Sequence, residues 1–298
     1  MKFEEETFTA WAQPLSITEE QRAKNTISMI KSALKDNQFF NDYNVNVFLQ
    51  GSYANNTNVR TDSDIDVCVM CKKVFHVKYP IGKTSSDYGF ESANLTFKEY
   101  RNQVKEALNT KFGRENLHDG NKSIKIDENT YRIKADVVPA LQFRDYSVPY
   151  SDKPYKFREG VYLVSLDGQE VINYPNQHIE NGRIKNNYTG GKYKKLVRIM
   201  KHIRNDMIEA GLINGDKISS FLVECLIYNI PDNIITENDS WIEAVGRAIS
   251  FLKDSFNIKA YQDWNEVSCE LPLFSPDRKW DEASVSPWLD RMVEFLEV

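Results

Sequence analysis

Two carboxylates one residue apart, Asp64 and Asp66, stand in a segment whose apolar residues alternate as Ile65, Val67 and Val69. That period is a strand's, so the acids project together from the opposite face, about 7 Å apart along the backbone. Paired carboxylates repel and resist joint ionisation. Water can relieve the repulsion at a surface, and a divalent cation turns it into a binding site, because hard cations take oxygen ligands. Asp62 repeats the spacing, but the apolar phase leaves it in the loop before the strand and outside the ligand set. Upstream, Gly51-Ser52 ends another alternating segment, Val45, Val47 and Leu49. Glycine lets backbone approach a phosphate closely, and backbone N–H groups with a hydroxyl can cradle its oxygens. Ahead of an acid-apolar-acid strand, Gly-Ser points to phosphate chemistry.

The elements that must position these residues follow from period and punctuation. Ser16 and Glu19 form a capping box opening a helix over 17–35, with Ile27, Ile30 and Leu34 inward. Residues 36–42 read as a polar turn. Phe97, Tyr100, Val104, Leu108 and Phe112 recur at helical spacing over 96–111. Residues 123–141 read as two strands around Asp127-Glu128-Asn129, and a further strand is expected near 161–166. The stretch 173–191 is rich in Asn and Gly and reads as a loop or linker. Helical periods then dominate, over 193–207, 218–229, 241–255 and 287–297. The expected class is α+β: residues 1–172, including the first helix, form a mixed-sheet lobe, and 173–298 form a helical lobe. A cleft between two lobes is where ligand sites preferentially lie.

Composition limits the function classes. The 298 residues are 41% apolar and 27% charged, as in an ordinary globular protein. No apolar run approaches the roughly 20 residues of a membrane span. Residues 1–9 are acidic and lack the apolar core of a signal peptide, so a cytoplasmic location is expected. Cys68, Cys71, Cys225 and Cys269 are too scattered for a disulfide framework. The pair Cys68 and Cys71 lacks the partners of a zinc site, so a structural role is expected for both. A net charge of −5 argues against long nucleic-acid duplexes and for small nucleotides or a protein partner. Arg183, Lys185, Lys192, Lys194, Lys195, Arg198, Lys201 and Arg204 crowd into one stretch. That stretch reads either as a solvated helix face or as a phosphate-facing wall.

The run Leu49-Gln50-Gly51-Ser52-Tyr53, then Thr57, then Asp64-Ile65-Asp66-Val67 resembles the signature of the DNA polymerase β-like nucleotidyltransferases. The resemblance implies a third carboxylate on a neighbouring strand, which Asp136 in Ala135-Asp136-Val137-Val138-Pro139 supplies. Within 133–138, Asp136 shares a face with Lys134, while Ile133, Ala135 and Val137 point the other way. It also implies two Mg²⁺ or Mn²⁺ ions at Asp64, Asp66 and Asp136, with Gln50, Gly51 and Ser52 lining the nucleotide site.

Lys195 to His202, followed by Lys217-Ile218-Ser219-Ser220-Phe221, resembles helices of cyclic GMP-AMP synthase and oligoadenylate synthase. By that likeness Lys201, with Ser219 and Ser220, holds a triphosphate and Phe221 stacks on a base. The overall likeness is to the bacterial CD-NTases of anti-phage signalling operons (CBASS). It implies cyclic di- or trinucleotide second messengers made from ribonucleoside triphosphates, and a possible regulatory protein partner. The Cys/His-rich zinc insert of the animal enzyme has no counterpart in 176–191, which puts activation by double-stranded nucleic acid in doubt. His178, Asn181, Asn186 and Asn187 stand where a loop could read base edges. Tyr174, Tyr188 and Tyr193 offer stacking faces or interface packing.

Two other functions fit the same residues. One is nucleotidyl transfer to a protein, a tRNA 3′ end or a small molecule. The other is non-catalytic nucleotide binding, which typically goes with loss of a metal carboxylate; all three are present.

Overall fold

The computed structural model describes residues 2–14, 16–59, 64–148, 156–276 and 278–297; Asp62 lies outside them. In chain order the elements are α1 (Glu5–Trp11), α2 (Ile17–Lys35), β1 (Val45–Gln50), α3 (Gly51–Asn55), β2 (Ile65–Lys78), α4 (Phe97–Phe112), β3 (Leu117–Asp119), β4 (Ile124–Ile126), β5 (Ala135–Asp145), β6 (Arg158–Val164) and β7 (Glu170–Asn173). There follow α5 (Pro175–Tyr188), α6 (Lys192–Glu209), α7 (Ser220–Tyr228), α8 (Asp232–Thr236), α9 (Trp241–Asn257) and α10 (Val285–Leu296). Two units emerge: Ser16–Tyr53 with Thr61–Pro175, and Met1–Leu15 with Ala54–Arg60 and Asn176–Val298.

The first unit is built on a mixed sheet in the order β1-β2-β5-β4-β3, with β6 against β5 and β7 against β6. β2 and β5 run parallel; the other pairs are antiparallel. The alternation expected from sequence holds. Ile65, Val67, Val69, Ile133, Ala135 and Val137 are buried, each at 1% exposure or less. Each large side chain among them contributes roughly 1.5–3 kcal/mol of transfer free energy. α2 packs on α4, and α4 on β5. The Tyr100 hydroxyl of α4 donates to Val69 O at 3.0 Å, and Thr26 Oγ1 of α2 accepts from Ile133 N at 3.0 Å. α2 starts at the expected capping box, in which the Ser16 N–H donates to Glu19 at 3.1 Å and Glu19 N–H to Ser16 at 3.4 Å. Residues 38–42, expected as part of a turn, wind into a short 3-10 helix.

The second unit packs its core around α6, whose Leu196, Val197, Met200, Ile203 and Met207 are fully buried. The boundary differs from the expected 172/173 division, because residues 2–14 and 54–59 belong with these helices. Phe8 of α1 is buried among them, and the Glu5 carboxylate caps α9 by accepting from Trp241 N at 2.8 Å and Ile242 N at 3.0 Å. The sequence showed neither contact, since both span more than 180 residues.

The linker expected over 173–191 is a correction. Residues 175–188 form α5. Proline opens it at a position that needs no N–H. His178 and Gly182 lie one turn apart on its buried face, and Asn181 Nδ2 donates to Val267 O at 3.0 Å and Ser268 O at 2.9 Å. Asn and Gly have poor helix propensity, but tertiary contacts override propensity. Among the described residues no helix is long and apolar enough to cross a membrane.

Candidate active site

Strand register assembles the acids. In β1 and β2 Gln50 lies opposite Asp66; in β2 and β5 Asp66 lies opposite Asp136; in β5 and β4 Asp136 lies opposite Lys125. Paired residues on neighbouring strands face the same side, so Gln50, Asp66, Asp136 and Lys125 form one row across four strands. Asp64, just ahead of β2, adds its carboxylate to that side. Lys134, just ahead of β5, stands beside it with its ammonium 3.5 Å from Asp64 Oδ1. Further along β2, Cys68 and Met70 close the same face as a small apolar cluster with Ala140 and Val161. The Cys68 thiol is buried in that cluster, and Cys71, on the opposite face of β2, is buried as well.

Gly51 follows β1 with φ +67°, and a Cβ at this position would overlap the Asp66 carboxylate. Only glycine combines that conformation with so close an approach. Gly51→Ala is therefore expected to cost about 1–2 kcal/mol of stability from the left-handed backbone alone. It should also displace Asp66, so synthesis falls by at least about tenfold, more than the stability change accounts for. Melting curves read beside initial rates check both parts.

The electrostatics of the row favour added positive charge. Burial, then the charges of Asp136 and Asp64, raise the Asp66 carboxyl to about 7. Asp64 is raised too, by burial first; Lys134 opposes this, Asp136 adds to it, and Lys125 opposes it. Among the described residues Asp136 Oδ1 is sealed from solvent without a hydrogen bond, with the Lys125 ammonium 3.4 Å away. As the side chains stand, no group of three His, Cys, Asp or Glu among the described residues is arranged to hold a metal ion. The chemistry of the donor set nonetheless fits one. It offers hard oxygen ligands, one of them orphaned and one held near neutral, beside two lysine ammonium groups that occupy the place of cations.

The C-terminal candidates are placed differently from expectation. Lys201 was expected to direct its ammonium away from the apolar stripe of α6. It is 1% exposed, and its Nζ lies 2.6 Å from Glu224 Oε2, 3.1 Å from Thr57 Oγ1 and 3.2 Å from Thr57 O. His178 Nε2 completes the cluster 3.0 Å from Glu224 Oε1. α6 is central to its unit, so a residue off its apolar stripe still meets other elements. Glu224 and Thr57 thus enclose the ammonium. Ser219 caps α7, accepting from Leu222 N at 3.1 Å, and Ser220 begins that helix half-buried. Phe221 lies between His178 and Trp280, ring centroids 5.6 Å from each. His178 and Asn181 are likewise taken up inside the fold, and Asn186 Oδ1 accepts from Lys194 N at 3.1 Å.

Nor is the basic stretch a continuous wall. Lys185 donates to Ile230 O, Lys192 to Thr236 O, Arg198 to Ala12 O and Asn56 O, and Arg204 to Ile218 O and Gly215 O. Arg183 pairs with Glu180 on its own helix. These cations satisfy carbonyls and a neighbouring acid within the helical unit. Lys195 remains exposed and Lys194 half-buried.

Comparison with known proteins agrees with both units. Residues 27–158 match the nucleotidyltransferase domain, and residues 180–297 match the cGAS/DncV-like nucleotidyltransferase C-terminal helical domain. The cyclic dipyrimidine nucleotide synthase of Cecembia lonarensis is 35% identical over 297 residues, 99% of each chain. The chain belongs to the CD-NTase family. It is a nucleotidyltransferase that makes cyclic oligonucleotides. The cyclic GMP-AMP synthase of Staphylococcus schleiferi is 37% identical, with 90% of each chain covered. The solved structure of the Rhodothermus marinus c-UMP-AMP synthase, holding Apcpp and Upnpp, superposes with a TM-score of 0.85 at 28% identity, over 99% of this chain and 97% of that one.

Nucleotidyltransferases of this kind generally use divalent metal ions, in keeping with the donor set of the acidic row. Lys125 and Glu224 escaped notice in the sequence. Lys125 sits in a three-residue strand too short to show a period, and Glu224 falls within an otherwise apolar helix. The one available signal was Ile-Lys-Ile at 124–126, an inward-outward-inward triplet that aims its lysine to the acid side.

Proposed function

We propose that the chain joins ribonucleoside triphosphates into a cyclic di- or trinucleotide with release of pyrophosphate, using Asp64, Asp66 and Asp136 to hold Mg²⁺ or Mn²⁺, two ions per site. The observation that carries this is the direct register of Asp66 with Asp136 on parallel strands, with Asp64 two residues earlier on the same side. Bound there, divalent ions would neutralise the triphosphate and acidify the attacking hydroxyl.

The chain's own residues do the rest by position. Gln50 flanks Asp66 at the end of β1, and Gly51 and Ser52 follow it, where the resemblance puts nucleotide contacts. Asp136, set between Asp66 and Lys125, supplies the carboxylate nearest the hydroxyl. Rigid strands hold the acids in phase, so catalysis rests on positioning and charge rather than on a protein nucleophile. Ser219, Ser220 and Phe221 remain the proposed donor-nucleotide contacts of the helical unit.

Lys194 is added as a proposed triphosphate lysine beside Lys201, where the resemblance puts that role. It lies on the same helix, and burial holds its ammonium below the usual lysine range; Glu224 opposes this, while Arg198 and Arg183 reinforce it. Such an ammonium gains from an arriving phosphate. Lys194→Ala should raise the apparent KM for nucleotide by roughly tenfold with a smaller change in kcat. An unaltered KM removes Lys194 from the site.

The test of the whole is product analysis. Pure protein is incubated with mixtures of the four ribonucleotides and either metal, treated with phosphatase and examined by mass spectrometry. A phosphatase-resistant cyclic product that requires the metal is expected. Linear product or labelled acceptor protein or tRNA would overturn the cyclising assignment. The relatives' names differ in their bases, so the bases used by this chain come from that experiment. The resemblance to anti-phage enzymes extends the proposal to a cytoplasmic second messenger, which predicts that Asp66→Asn abolishes any protection against phage conferred by the parent operon.

A further inference from the structure

We infer that Lys125 is a resident cation of the acidic row: it bridges Asp136 and Asp64, keeps the carboxylates together before divalent ions arrive, and gives way to those ions, so that it sets how much metal the enzyme requires. This rests on the proposed metal role of the three acids.

The placement is built into the sheet. Ile124 and Ile126 are fully buried on either side of Lys125, which fixes the outward phase of β4. Register sets Lys125 directly opposite Asp136 on one side and His118 on the other. The ammonium lies 3.4 Å from Asp136 Oδ1 and 4.0 Å from Asp64 Oδ2, spanning an acid of β5 and one just ahead of β2. Lys134 takes the remaining oxygen of Asp64 at 3.5 Å. The row thus holds three carboxylates and two ammonium groups, and Asp66 is the acid that neither lysine reaches within ion-pair distance.

Three carboxylates confined to neighbouring strand positions repel, and the sheet cannot splay to separate them. A cation of the chain's own relieves that repulsion. The same cation opposes a divalent ion seeking the same oxygens, because like charges a few ångströms apart repel strongly where water is partly excluded. Lysine suits a cation that must leave. It is a point charge on a flexible stem, and its side chain is 39% exposed, so it can withdraw into solvent. Once withdrawn it remains within reach of the row, where it can meet an arriving triphosphate. Lys125 is on this account a positioning residue acting through Asp64 and Asp136.

A merely structural lysine predicts the opposite metal response, since removing it would loosen the carboxylates and weaken binding. Mn²⁺ alone is titrated into the parent protein, Lys125→Met, Lys125→Arg and Asp66→Asn, with free ion read by electron paramagnetic resonance and melting recorded in EDTA. Lys125→Met should melt lower than the parent in EDTA yet bind Mn²⁺ about tenfold tighter, the scale of a modest coupling between two bound charges. Lys125→Arg should restore melting and hold Mn²⁺ affinity near the parental value. Equal or weaker Mn²⁺ binding by Lys125→Met overturns the inference. Should that variant fail to fold, Lys134→Met, at a side chain 44% exposed, carries the same expectation through Asp64, and unchanged affinity there is equally fatal. A parent that binds no Mn²⁺ overturns the metal assignment and this inference with it. A parent that binds Mn²⁺ through Asp66, with lysine variants unchanged, overturns the inference alone.

Discussion

Asp66→Asn should lower cyclic-nucleotide synthesis by at least about a thousandfold while making the metal-free protein more stable at neutral and alkaline pH. The activity loss follows from removing one charge from the centre of the row, where Gln50 and Asp136 flank the residue on both neighbouring strands. Losses of that size accompany removal of a group that stabilises transition-state charge. The stability gain follows from linkage. The Asp66 carboxyl titrates at about 7 in the folded chain against 3.8 for an ordinary aspartate, chiefly through burial and then through Asp136 and Asp64. Between those values the folded protein binds the extra proton, so the parent loses stability as pH rises from about 4 to 7 and stays penalised above. The gap corresponds to at most about 4 kcal/mol. Asparagine keeps the shape and cannot ionise. In EDTA the variant should melt above the parent at pH 8, and the two should converge below about pH 4. Adding Mg²⁺ should raise the parent's melting temperature and leave the variant's almost unmoved. A variant that melts lower than the parent at pH 8 would make Asp66 a structural acid. Retained synthesis would remove it from the chemistry.

How much of this was open to a reader of the sequence depends on the range of the interaction. Strand phase is local, so the buried sequence Ile65, Val67, Val69 and the outward pair Asp64 and Asp66 were legible, as was the phase of Asp136. Register is not local. Nothing in the sequence states that Asp66 stands against Asp136 and not one pair along, or that Lys125 is next to Asp136 in the row, because a partner strand is chosen by the whole sheet. α5 was hidden for another reason: its helix is held by contacts of His178, Asn181 and Lys185 with distant segments, while its own Asn and Gly content argues for a turn. The N-terminal α1 is similarly claimed by Phe8 and Glu5 contacts to helices far along the chain. At Lys201 helical period correctly placed the residue off the main apolar stripe, but the sequence did not show the buried acid that meets it there. A paired charge no longer marks a surface.

That buried pair carries the second large effect: Lys201→Met should destabilise the helical unit by about 3–5 kcal/mol, the cost of leaving one partner of a buried ion pair uncompensated. Glu224 would keep the Thr57 hydroxyl at 2.7 Å and His178 at 3.0 Å but lose its cation at 2.6 Å. Burial by itself would raise the Glu224 carboxyl; the Lys201 ammonium, and then His178, overcome it and hold the group well below the usual range. A depressed carboxyl contributes stability that is present above its unfolded value and lost as pH falls through its folded one. The parent should therefore become less stable below about pH 4.5, and Lys201→Met should lack most of that dependence. In melting temperature the loss amounts to roughly 10 °C for a chain of this length. Replacing both partners, as Lys201→Met with Glu224→Leu, should recover much of it, since apolar groups can fill the space of a buried pair. KM for nucleotide, measured well below the variant's melting temperature, should stay near the parental value. A raised KM with unaltered melting would return Lys201 to the triphosphate. The expected reverse would establish that the lysine, glutamate, threonine and histidine form a structural clamp, joining α5, α6 and α7 to the segment that follows Gly51-Ser52.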